Sequence, residues 1–180
     1  MKTVVDDDVH VVLDATPGEA HFIENETGFT LHRITVGSDS GSYRYCIALA
    51  STFSGIVVLL EDDYRVAPSW RGLIEEGLGV GSYVTLYDHP DKYLSQYKDL
   101  PSRIFKGSRH WRTTPSTTSS FAARASTLLE DKDVHIQFAA DDRNRDHERF
   151  LTLWTRGRQL VSCMPGAWSH EEMSMQTDVV

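Results

Sequence analysis

Apolar residues change their spacing several times along the chain, and each change marks an element. Val9 to Leu13 and Thr30 to Val36 have strand character and flank the turn residues Pro17-Gly18 and Asn25, so the chain begins as strand, turn, strand. Gly37 to Gly41 breaks that pattern. Cys46, Ile47, Leu49, Ala50 and Phe53 then set apolar side chains on one face of a helix that Gly55 ends. Ile56 to Leu60 is a continuous apolar run, the mark of a strand covered on both faces in the middle of a sheet. Pro68 suits a first helical turn, Trp70, Leu73, Ile74 and Leu78 recur at helical spacing, and Gly77 to Gly79 closes the helix.

Ser82 to Tyr87 predicts another strand, and Asp88 to Thr118 is long, polar and aperiodic, the profile of a functional loop or lid. Ser119 to Ala123 reads as a short strand, Ser126 to Glu130 as a small helix, and His135 to Phe138 as a strand end. Phe150, Leu151 and Trp154 give a further helix its buried face, Gly157 closes it, and Gln159 to Met164 forms a last strand before Pro165. The residues after His170 read as a loose tail. Strands alternating with helices predict an α/β domain with a mixed sheet, spanning residues 1–180 as one unit, with ligands at the C-terminal ends of its strands.

Composition narrows the function classes. A formal net charge of −8 opposes binding a polyanion, so nucleic acid is not an expected partner. Arg103, Lys106, Arg109 and Arg112, interleaved with Phe105, His110 and Trp111, form one basic cluster, either a solvated loop or a contact to a phosphate or an acceptor. The apolar runs fall well short of the roughly 18 residues of a membrane span, and the acidic start MKTVVDDDVH is unlike a signal peptide. The expectation is therefore a cytoplasmic protein without a membrane span, open to homodimerisation, whose Cys46 and Cys163 stay reduced.

Three consecutive acids, Glu61-Asp62-Asp63, follow the apolar strand. Like charges so close raise one another's pKa unless a cation neutralises them, and hard divalent ions such as Mg²⁺ or Mn²⁺ prefer carboxylate oxygens. The plain alternative is a solvated acidic turn. A second acidic stretch runs from Asp141 to Glu148, where Asp146 either caps a helix or serves as a base, with Asp141 and Asp142 as competitors. Tyr87, His89, Trp111 and Trp168 are candidates to stack on a sugar ring, or are core and rim residues.

From about Ser40 to His170 the order of these features resembles the glycosyltransferases of the GT-A fold, especially the family 2 type. VVLLEDDYRVAPSW is similar to that family's buried strand, acidic DXD-type motif and following helix. TTSSFAARASTLL is similar to its strand-turn-helix beside the acceptor, and RDHERFLTLWTRGRQLVSCMPGAWSH to its base helix, strand and late histidine. The resemblance implies a GT-A-like mixed sheet flanked by helices, shortened at the N-terminus because the usual first nucleotide-binding strand has no counterpart. It implies metal binding by Asp63, with Glu61 and His170, and donor contacts by Glu61 and Asp62. Asp14, 47 residues before Glu61, matches an aspartate that holds the nucleotide base.

Thr117 to Ser120 bring hydroxyls to what resembles the acceptor side, where Ser119 and Ser120 are candidates to bind sugar hydroxyls of the donor. Asp146, eleven residues before Gly157, matches the family's catalytic aspartate, with Glu148 on the same turn. The implied activity is metal-dependent transfer of a sugar, with inversion, from a nucleoside diphosphate sugar to a hydroxyl-bearing acceptor: a glycan, a lipid-linked acceptor or a small molecule. A metal-dependent nucleotidyl or phosphoryl transferase would use the same acids, and a non-catalytic nucleotide-sugar binding module would keep the fold without turnover.

Overall fold

A computed structural model describes residues 8–14, 29–94, 102–141 and 143–170. Its centre is a six-stranded mixed sheet. In chain order the described strands are β1 (His10–Asp14), β2 (Thr30–Ile34), β3 (Ile56–Leu59), β4 (Tyr64–Val66), β5 (Tyr83–Thr85), β6 (Ile104–Lys106), β7 (His110–Thr113), β8 (Phe121–Arg124), β9 (Leu160–Met164) and β10 (Trp168–His170). The helices are α1 (Asp39–Ala50), α2 (Trp70–Gly77), α3 (Ala125–Glu130), α4 (Lys132–Gln137) and α5 (Asp146–Thr155), with a 3₁₀ turn at Pro90–Tyr93. The main sheet runs β3-β8-β5-β9-β7-β6, with β5 and β9 parallel and the other neighbours antiparallel.

Period-two alternation sorts the core onto the two faces of this sheet. Tyr83, Phe121, Ala123 and Leu160 point to one side, where Tyr43 and Ile47 of α1, Leu128, Val134, and Phe150 and Leu153 of α5 cover them. Val84, Ala122, Val161 and Trp111 point to the other, against Leu73 and Ile74 of α2 and against Tyr64 and Trp168 of the β4–β10 pair. Gly77 lets α2 lie close on the sheet, since a Cβ there would come within 2.7 Å of the Trp111 ring. Gly157 takes φ +80 and ends α5, a conformation that favours glycine.

The predicted α/β class with a mixed sheet holds, and several elements differ from the pattern-based expectation. The strands β1 and β2 pair in parallel, so they are not a simple strand-turn-strand meander, and the connection between them lies outside the described residues. β3 is not central. Among the described residues it is an edge strand bonded only to β8, with Ile56 38% and Leu60 45% exposed. His135 to Phe138 is not a strand end, because Lys132–Gln137 is helical and buries Val134 and His135 on one face.

The segment from Asp88 to Thr118 is not one irregular lid, since it supplies the 3₁₀ turn and both β6 and β7 of the main sheet. The tail after His170 lies outside the described residues. Cys46 and Cys163 are both free, and burial raises both thiols, Cys163 to about 11. No described helix is long and apolar enough to cross a membrane.

Candidate active site

The strands β3, β5 and β9 share one direction, and the functional side chains gather where they end. β8 runs antiparallel to β3, so the residues just before it, Thr118 to Ser120, lie at the same end as Glu61. The Ser120 hydroxyl accepts the Glu61 backbone N–H at 3.0 Å and fixes the turn that leaves β3. The chain then forms β4, which pairs antiparallel with β10 in a register that sets His170 opposite Tyr64. That pairing carries a late histidine to Asp63, with His170 Nε2 2.9 Å from Asp63 Oδ2. Tyr64 anchors the corner: its hydroxyl lies 2.6 Å from Thr118 Oγ1 and its ring packs on Tyr87, Trp168 and His170.

Glu61, Asp63 and His170 can each offer one ligand atom, and those atoms lie within 4.8 Å of one another. Burial raises the Glu61 carboxyl above its ordinary range first, the Asp63 charge adds to that, and His170 and the Ser120 hydrogen bond pull it back. Asp63 Oδ1 is buried with no hydrogen bond among the described residues. A buried carboxylate oxygen without a partner is costly, and a cation removes that cost. Two carboxylates and one imidazole therefore fit a divalent ion, and the imidazole, a softer donor than oxygen, favours Mn²⁺ over Mg²⁺. To ligate, His170 Nε2 would have to present its lone pair and give up the contact that now holds Asp63.

The same three residues line an open cleft of about 270 Å³ together with Thr118, Ser119, Asn144 and Asp146. That volume is just below the roughly 300 Å³ at which small-molecule sites begin, enough for part of a nucleotide sugar. Asp146 is the first residue of α5. Arg145 holds the capping position and makes no side-chain cap, so Asp146 is not the cap and contributes its charge to the helix N-terminus instead. Arg149, one turn further on and fully buried, lies 4.0 Å over the Tyr43 ring and donates from Nη2 to Asn144 Oδ1. Arginine only donates, so Asn144 must turn its carbonyl to Arg149 and its Nδ2 to Ser119 Oγ.

Of the residues expected from sequence, Glu61, Asp63, His170, Asp146 and Ser119 meet in this cleft. Ser120 is fully buried and acts on the Glu61 backbone. Asp62 and Glu148 are exposed and do not line the cleft. Asp142 lies outside the described residues, and Asp141 is exposed and paired with Arg145. Asp14 is also apart from the lining residues. Its oxygens accept the N–H groups of Val36 and Gly37 and the Ser42 hydroxyl, which ties the end of β1 to the turn before α1.

Trp111 and Trp168, 1% and 0% exposed, are core residues and cannot stack on a sugar. The basic cluster divides: Arg112 is buried against Asp88, Arg109 donates to the backbone oxygens of Pro165 and Gly166, and Arg103 and Lys106 are exposed. Thr118 is one of four hydroxyl candidates in the sequence, and Asn144 joins the cleft from outside the residues that sequence singles out. Its position in the polar loop just before an acidic helix start is the one signal that points to it. No protein-family model and no curated protein matches the chain.

Proposed function

We propose that the chain is a metal-dependent glycosyltransferase that moves a sugar from a nucleoside diphosphate sugar to an acceptor hydroxyl with inversion. The observation that carries this reading is the convergence of Glu61, Asp63, His170 and Asp146 on one cleft at the C-terminal end of parallel strands. Glu61, Asp63 and His170 would hold Mn²⁺ or Mg²⁺, which when bound supplies positive charge to a departing diphosphate. Asp146 would take the proton of the acceptor hydroxyl as its oxygen attacks the anomeric carbon. The new glycosidic C–O bond forms as the anomeric carbon–phosphate oxygen bond breaks, and that electron pair leaves on the diphosphate. Ser119 and Asn144, locked together by Arg149, offer fixed polar atoms for the donor's sugar hydroxyls.

The test is product analysis. Incubation with Mn²⁺ and a panel of nucleoside diphosphate sugars should release nucleoside diphosphate, and release of pyrophosphate or phosphate from nucleoside triphosphates instead would assign the same acids to nucleotidyl or phosphoryl transfer. Nucleotide binding without turnover on either panel would make the chain a binding module.

A further inference from the structure

Beside the cleft, after β5, stands a second polar group that the reading above does not use. His89 Nδ1 is 2.6 Å from Asp91 Oδ1, a close charge contact too poorly aligned to count as a hydrogen bond, and the other Asp91 oxygen is 2.8 Å from Lys92 Nζ, whose side chain is only 5% exposed. A carboxylate only accepts, so the neutral imidazole carries its hydrogen on Nδ1, facing Asp91, and keeps a lone pair on Nε2. That Nε2 has no hydrogen bond among the described residues. Burial lowers the imidazole pKa below its ordinary value, Asp91 opposes this, and Lys92 supports it. The neutral form therefore prevails at neutral pH.

Geometry ties this group to the cleft. The His89 ring packs on Tyr87 at 4.9 Å, and the Tyr87 ring in turn lies 6.1 Å from His170 and 5.7 Å from Tyr64. Asp146 and His170, both lining the cleft, are near enough for their charges to act on the imidazole. His89 thus stands at the rim with an oriented acceptor atom, held by a carboxylate that a nearly buried ammonium neutralises.

We propose that His89 Nε2 binds a hydroxyl of the acceptor, so that Asp146 and His89 together select a molecule with at least two hydroxyls, a sugar in preference to a simple alcohol. This rests on the glycosyltransferase reading. The selectivity follows from counting protons: one hydroxyl carries one hydrogen, which the reaction gives to Asp146. A lone pair on His89 needs a second hydroxyl to satisfy it.

The test uses the full chain with Mn²⁺, a donor shown to release nucleoside diphosphate, and as acceptors free monosaccharides, their monodeoxy analogues and a linear alkanol. His89→Ala should raise KM for the preferred monosaccharide about tenfold, the size of one neutral hydrogen bond, with hydrolysis of the donor by water unchanged. One monodeoxy analogue should show the same loss with the wild type and no further loss with His89→Ala. His89→Gln, which restores an acceptor oxygen, should recover part of the affinity. Independently of turnover, the Nε2 resonance of His89 in ¹⁵N-labelled wild type should move on adding the monosaccharide but not the alkanol.

Transfer by the wild type with equal KM for His89→Ala, or an Nε2 resonance indifferent to the sugar, would overturn the His89 assignment and leave the glycosyltransferase reading intact. Failure of the wild type to release nucleoside diphosphate from any donor would remove both.

Discussion

Two of the polar clusters built around a histidine and a carboxylate, the one at His135 and the one at His170, differ in how completely the protein satisfies them. In the first, His135 is fully buried between α1 and the sheet. Tyr83 gives its single proton to Asp131 at 2.9 Å, so at 3.0 Å it can only accept from His135 Nε2–H, and His135 Nδ1 must then accept the Tyr43 hydroxyl at 2.7 Å. Arg158 Nε donates to the same Asp131 oxygen at 2.8 Å. Every proton in this chain is assigned. In the second cluster, Asp63 touches His170, yet its other oxygen is buried and unpaired, and Glu61 is held above its ordinary pKa range. A saturated cluster specifies the fold, whereas an unsaturated one at a cleft has capacity left for a ligand.

Four experiments would break or sharpen that contrast. The largest effect belongs to Asp146→Asn, which keeps the shape of the helix start and removes the proposed base. Transfer should slow by about 10² to 10⁴-fold while calorimetry shows Mn²⁺ and donor binding close to wild type. A wild-type rate would return the base to the loop before α5. Asp63→Ala comes next. It deletes a proposed metal donor, so Mn²⁺-dependent nucleotide affinity should fall by more than the roughly 10 to 100-fold that an outer partner contributes, with little change in Tm. If Mn²⁺ strengthens nucleotide binding in that variant as in the wild type, the open cluster is not a metal site.

Tyr83→Phe probes the saturated cluster. It leaves Asp131 and His135 each short of a partner and should lower unfolding stability by about 1 to 3 kcal/mol, read from urea curves, with Mn²⁺ affinity untouched. An altered Mn²⁺ affinity would show that the two clusters are coupled. The smallest effect is a pH slope. Burial, aided by the Arg149 charge, holds His135 down to about 3, against about 6.5 in the unfolded chain. The unfolded state therefore binds the proton first, and stability present above pH 6.5 declines as pH falls toward 3, by about 1.4 kcal/mol per unit from this residue. His135→Gln should flatten the wild-type slope between pH 6.5 and 5 by an amount of that order, and an unchanged slope would mean that His135 protonates freely.

Periodicity revealed those elements whose apolar positions alone decide the fold. The helix over Trp70–Gly77, the strand at Tyr83 and the helix closed by Gly157 were all legible, because one buried face or a glycine at positive φ leaves a plain signature, although Pro68 lies just before the Ser69 cap and not in the first turn. β7 was not. It carries Arg112, whose charge disguises a buried position, and only the structure shows Asp88 accepting its hydrogen bonds and the Tyr93 ring under its guanidinium at 4.1 Å. α4 misled for a similar reason, since a buried His135 reads as polar until both its nitrogens are seen to be bonded. At the site, Asp63 and Asp146 could be found from their places beside a strand and a helix. Asn144 is harder to read, as its place before the helix is only a weak signal and its orientation is set jointly by Arg149 and by the distant Ser119.

The pairing of β4 with β10 has a consequence in time. These two strands lie far apart in the chain and join outside the main sheet, so loop closure makes their contact slow compared with the local formation of α3 or α4. His170 reaches Asp63 only once that contact has formed, so the proposed cation site would be completed late in folding. Trp168 sits within β10, fully buried against the Tyr64 ring, so its fluorescence reports the step in a variant whose other three tryptophans, Trp70, Trp111 and Trp154, are replaced by phenylalanine. In a refolding experiment far-ultraviolet ellipticity should recover first, and Trp168 burial and Mn²⁺ uptake should follow together.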